Sequence, residues 1–134
     1  MRVARCDAVR REIKSLCKNR PYVEDAIKQF ERLLIAGIVA SGNVYPDLNL
    51  RRGDAPAKIM KFKVIVPKTN GGSRSGVRYV CELLEIEGEA WALCLGVYMH
   101  EGQDSEQTRR TSYRGRFAGT DIAIIESLEV QHDR

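Results

Sequence analysis

The stretch that most restricts the fold is GVRYVCELLEIEGEAWALCLGVYM, residues 76–99. Two runs rich in β-branched, aromatic and aliphatic residues flank a glycine-bearing EGE, which reads as two long strands joined by a tight hairpin. Their bulky side chains must be covered, and the preceding sequence supplies the cover. MRVARCD reads as a short first strand with Val3 inward. Val9, Ile13, Leu16 and Cys17 then recur at helical spacing until KNRP ends the pattern. A second helix follows, with Val23, Ala26, Ile27, Phe30, Leu33 and Leu34 in one stripe, Pro21 in its first turn and Gly37 as its C-terminal cap. The short link between the helices predicts an antiparallel helical hairpin. Residues 38–57, with Gly, Pro, Asn and Asp at irregular spacing, read as a long loop, and KFKVIV alternates as the strand before the hairpin.

This order gives an α+β domain, with the N-terminal strand and helical hairpin packed on one face of a mainly antiparallel twisted sheet and the other face open. The domain spans 1–106. The extension over 107–134 reads as loop through QTRRTSYRGRF and then a short helix through TDIAIIESL behind a Thr120 cap, with a strand through DIAII as the alternative. Alternation divides the faces. Phe62, Val64, Val66, Val77, Tyr79, Cys81, Leu83, Trp91, Leu93, Leu95 and Val97 are assigned to the helices. The open face then collects Lys61, Lys63, Arg78, Glu82, Tyr98 and His100. A three-residue loop at 87–89 pairs residues whose numbers sum to 176, placing Arg78 opposite Tyr98 and Gly76 opposite His100. The smallness of Gly76 and Gly96 predicts a shallow depression between these side chains.

Charge is concentrated on the same face. Ala55–Cys81 holds no acidic residue and six basic ones, Lys58, Lys61, Lys63, Lys68, Arg74 and Arg78, in a chain of 134 residues whose formal net charge is +4. The remainder therefore sums to −2. Tyr79–Thr108 has no Lys or Arg and seven acids, among them Glu82 and Glu106; Glu82 is expected to damp the positive field. Arg109, Arg110, Arg114 and Arg116 form a second basic cluster, either a mobile tail or an extra contact surface for an anionic partner such as RNA. The N-terminus is charged from its second residue, and the longest apolar run, LLIAGIVA, is far shorter than the ~20 residues of a membrane span. With Cys6, Cys17, Cys81 and Cys94 showing no CxxC and no zinc-type spacing, the expectation is a cytoplasmic protein with free, mostly buried thiols and no metal or cofactor.

The element order, the KFKV and SGVRYV stretches, and LGVYMHEGQDS together resemble the RelE/ParE toxin superfamily of toxin–antitoxin systems, over roughly residues 1–106, with the last stretch similar to HigB-type members. The resemblance implies a RelE-like fold and a metal-free endoribonuclease that cuts mRNA on the ribosome and is silenced by a cognate antitoxin. By position it implies catalytic roles for Lys61, Lys63 and Arg78, and for Tyr98 or His100. Fixed cations can stabilise the charge that gathers on phosphate oxygens when a ribose 2′-oxygen attacks, while His or Tyr can shuttle a proton or stack on a base. Lys58, Lys68 and Arg74 are candidate RNA contacts, although Arg74, within GGSRSG, reads first as a solvated turn residue. The alternative is a non-enzymatic binder, either a ParE-like gyrase inhibitor or an RNA-binding module.

Overall fold

The computed structural model of the chain describes residues 1–38, 42–45, 48–66, 76–99 and 105–131. Strand β1 (Arg2–Arg5) leads into helices α1 (Asp7–Leu16) and α2 (Pro21–Ile35). Pro21 occupies the first turn of α2, where its missing N–H costs nothing. Gly37 takes a positive φ of 79° just beyond it, with the Gly37 and Ile38 amides bonded back to Leu34 and Leu33, so it ends the helix as expected. The segment read as loop contains three two-residue strands, β2 (Asn43–Val44), β3 (Arg51–Arg52) and β4 (Ala55–Pro56). Then come β5 (Lys58–Val64), β6 (Val77–Ile86) and β7 (Glu89–Met99). The main sheet runs β1-β7-β6-β5-β2, antiparallel except for the β1–β7 pair; β3 and β4 pair separately.

The hairpin differs from expectation in an informative way. Its turn is Glu87-Gly88, with positive φ at both residues (52° and 83°), the two-residue geometry whose twist suits antiparallel strands. Near the turn, pairing therefore runs Ile86↔Glu89 to Cys81↔Cys94, one residue away from the expected register. A bulge on β7, where Leu95 is the extra residue between Cys94 opposite Cys81 and Gly96 opposite Val80, absorbs the difference, and beyond it Arg78 faces Tyr98 as predicted. The cost of the bulge falls on β7. Val97 faces α1 and α2, but nearer the turn Ala92 and Cys94 do so, while Trp91, Leu93 and Leu95 face the other way. Their assignment to the helical hairpin is thus corrected, although all three are buried.

That second face is not open. Helix α3 (Glu106–Ala118), where loop was expected, lays Tyr113 and Phe117 on it, and Ile125 and Leu128 join them. Ser105 caps α3, its Oγ accepting the Thr108 amide at 3.1 Å. Thr120 is no helix cap: its hydroxyl donates to the Arg116 carbonyl, and the short α4 (Ile122–Ile125) starts behind Asp121 before a 3-10 turn at Glu126–Leu128. The Val130 amide then bonds the Val3 carbonyl at 2.8 Å, tying the extension to the outer edge of β1. The sheet therefore separates two apolar cores, one under α1 and α2 and one under α3. All four cysteines are buried free thiols, with Cys81 and Cys94 opposite each other. No helix among the described residues is long and apolar enough to cross a membrane.

Candidate functional site

Where α3 begins, one end of its sheet face is left uncovered by the described residues. Strand register places Lys63 opposite Arg78, Arg78 opposite Tyr98, and Asn43 opposite Lys61. Direct cross-strand partners share a face, so Lys63, Arg78 and Tyr98 form a row across three strands with Lys61 one step behind. The first turn of α3 closes the space with Glu106 and Arg109. These seven residues line a hollow of about 400 Å³. The wall thus holds four cations and one carboxylate. Like charges directly opposite one another in a sheet repel, and Arg78 turns part of its guanidinium to the Gly76 carbonyl at 3.3 Å.

The depression expected at Gly96 is filled. Tyr113 lies against it so closely that a Cβ at Gly96 would overlap the Tyr113 ring, so this glycine seats α3. The hollow lies further along, past Tyr98. Burial holds the Tyr98 phenol above its usual range, partly offset by Arg109, whose guanidinium sits 4.2 Å from the ring centroid. Behind the hollow, Tyr45 packs edge-on to Tyr113 at 5.7 Å and donates its hydroxyl to Glu106 Oε1. Burial, reinforced by that bond, pushes Tyr45 up to about 12. The Tyr45 hydroxyl and then Arg109, which donates to Glu106 Oε2 at 3.1 Å, hold the Glu106 carboxyl below the ordinary range. At neutral pH Tyr45 and Tyr98 therefore keep their protons while Glu106 is ionised.

Of the residues singled out from sequence, the hollow gathers Lys61, Lys63, Arg78 and Tyr98. Lys58 stands apart: it is three residues down β5 from Lys61 and five from Lys63, roughly 10 and 16 Å along the strand, and on the side of the sheet that α1 and α2 cover. Lys68, Arg74 and His100 lie outside the described residues. Glu82 does not damp the hollow. It is buried, and it binds Arg52 through both oxygens at 2.6 and 3.2 Å, with Arg52 stacked 4.0 Å over Phe117. Sequence reasoning missed Asn43, Tyr45 and Glu106 as site residues, and it set Arg109 only in the second basic cluster, as mobile tail or further RNA contact. The usable signal was Ser105 followed by acidic Glu106, which marks a helix start and brings Arg109 one turn on to the same wall.

Elsewhere arginines serve the architecture. Arg5 and Tyr79 both donate to the buried Glu31 beneath α2, and Arg116 donates to Glu12 and to the Leu95 carbonyl. Among the described residues no cluster of His, Cys, Asp and Glu is placed to hold a metal ion. The chain matches no protein-family model, no curated protein and no solved structure.

Proposed function

We propose that the hollow binds the phosphodiester backbone of RNA and cleaves it, using fixed cations and a carboxylate of this chain. The observation that carries this reading is the row Lys63–Arg78–Tyr98, joined by Lys61 and Arg109 around one cavity. In the reaction, the 2′-oxygen of ribose attacks the adjacent phosphorus and the bond to the 5′-oxygen breaks, leaving a 2′,3′-cyclic phosphate and a 5′-hydroxyl. Glu106 is the lining group suited to accept the 2′ proton, and the protonated Tyr98 phenol is suited to deliver one to the departing 5′-oxygen. Arg78, through its planar donor fork, and Lys61 and Lys63, as point charges, stabilise the charge on the equatorial oxygens. The resemblance to RelE- and HigB-type toxins makes mRNA on the ribosome the proposed substrate and a cognate antitoxin the proposed partner.

A second reading, a ParE-like protein that binds without cutting, is favoured by one observation: α3 covers most of the sheet face and leaves the hollow small. Single-turnover cleavage on programmed ribosomes separates the two. Cleavage by the wild type that Arg78→Ala abolishes supports the nuclease. Specific RNA binding without cleavage supports the binder, and full activity in Arg78→Ala removes the hollow from consideration.

A further inference from the structure

The hollow does not end at Tyr98. The same side chain lines a larger groove of about 820 Å³ between α1 and the outer edge of β7, where Tyr22, Arg11, Arg20, Arg116 and Glu12 join it. Two features say what kind of ligand fits there. The first is the state of the strand edge. β1 covers β7 only from Trp91 to Cys94, yet the edge beyond is already occupied: the Val97 amide donates to Glu12 Oε1 at 2.7 Å, and Arg116 donates to the Leu95 carbonyl at 2.7 Å. A peptide adding itself as a strand would have to displace both. The second is charge. Glu12 is engaged by Arg116 through two bonds of 3.1 Å, whereas Arg11 and Arg20 are exposed and form no ion pair among the described residues. Beyond Arg11 the outer side of α1 continues with Lys14 and Lys18, in a depression that shares Arg11 with the groove.

We infer that this groove is a second RNA subsite, in which a single strand leaving the hollow passes Tyr98 and lays its flanking phosphates along Arg11 and Arg20, with Tyr22 offering a ring for stacking. Cations that track a backbone, interleaved with aromatic rings, are how proteins hold single-stranded nucleic acid. The inference rests on the reading of the hollow as a phosphodiester site and extends it to the substrate: an unpaired RNA reaching beyond the scissile linkage.

The test uses non-cleavable 2′-O-methyl oligouridylates, one a dinucleotide and one of about ten nucleotides, within the ~4–16 that such sites cover. Their affinities are measured across a salt series for the whole chain, for Arg11→Ala/Arg20→Ala and for Lys61→Ala/Arg78→Ala. In the first variant the long probe should bind roughly tenfold more weakly, with its salt slope reduced by about 1.4, or ~0.7 for each phosphate no longer neutralised. The dinucleotide should lose little. An unchanged long probe, or equal losses for both probes, overturns the subsite. So does a wild type that holds neither probe, or a polyglutamate peptide that outcompetes the long probe through Arg11 and Arg20. The hollow is judged separately: if Lys61→Ala/Arg78→Ala leaves dinucleotide binding intact, the proposed function fails, whatever the long probe does.

Discussion

Beneath α2, Arg5 and Tyr79 converge on the buried Glu31; at the start of α3, Lys61, Lys63, Arg78 and Arg109 line a hollow with Glu106, its one carboxylate among the described residues. Both regions place cations at the sheet, one on each face. In the first, arginine and carboxylate meet through two bonds and the phenol takes up a further acceptor position, so charge and hydrogen bonds are matched within the protein. In the second, positive charge exceeds negative, and two of the cations stand directly opposite each other. The difference separates a closed, buried set of polar groups that holds the fold together from a set that lines a cavity open to solvent.

Four experiments would break or sharpen this contrast. The largest effect is expected under α2: Glu31→Ala strands Arg5 and the Tyr79 hydroxyl, and unfolding in denaturant should show a loss of about 3–5 kcal/mol. A near-neutral result would mean that the buried set is not structural. Arg78→Ala should behave the opposite way, lowering single-turnover cleavage about a hundredfold or more while stability falls far less than in Glu31→Ala. A large stability loss with cleavage retained would erase the distinction between the two regions. Gly96→Ala drives a methyl group into the Tyr113 ring and should cost about 1–3 kcal/mol, read as a lower Tm.

The smallest effect concerns pH. With Glu106 as base, the rate needs its ionised form and falls only as pH drops through a value held below the usual ~4.3, while Tyr98 keeps its proton past neutrality. The rate should therefore be flat between roughly pH 5.5 and 7.5, and Glu106→Gln should lower it throughout. A slope in that window that His100→Gln removes would transfer the proton to His100. The sign for stability follows the same direction. The Tyr45–Glu106–Arg109 cluster contributes fully above the unfolded carboxylate pKa, and its contribution disappears as pH falls through the lower folded one.

The helical cover, the β5–β6–β7 order and the faces of β5 and β6 were legible in the sequence because alternation in KFKV and VRYVC leaves little freedom of face. AWALCLGVYM carries no such information. It is apolar at almost every position, so nothing in it marks the bulge that turns Trp91, Leu93 and Leu95 away from α1 and α2. A three-residue loop would also pair Arg78 with Tyr98, whereas the protein reaches that pairing through a two-residue turn and the bulge. Helix α3 stayed hidden for a different reason. Tyr113 and Phe117 are its only buried positions, set among arginines, Ser112 and Gly115, so the helical period rests on a single i,i+4 pair. Missing the helix meant missing the wall that bears Glu106 and Arg109.

The two-sided sheet also has a consequence for synthesis. Of the side chains that share the second core with Trp91, Leu93 and Leu95, Tyr45 and Leu48 precede β5 to β7, but Tyr113, Phe117, Ile125 and Leu128, which complete its cover, follow the sheet in the chain. During translation the sheet and its N-terminal helices can assemble while that apolar face is still partly bare, a species prone to association and suited to chaperone capture. The hollow matures only when α3 docks, so a nascent chain carries the cations of β5 and β6 before it carries the wall that turns them into a site.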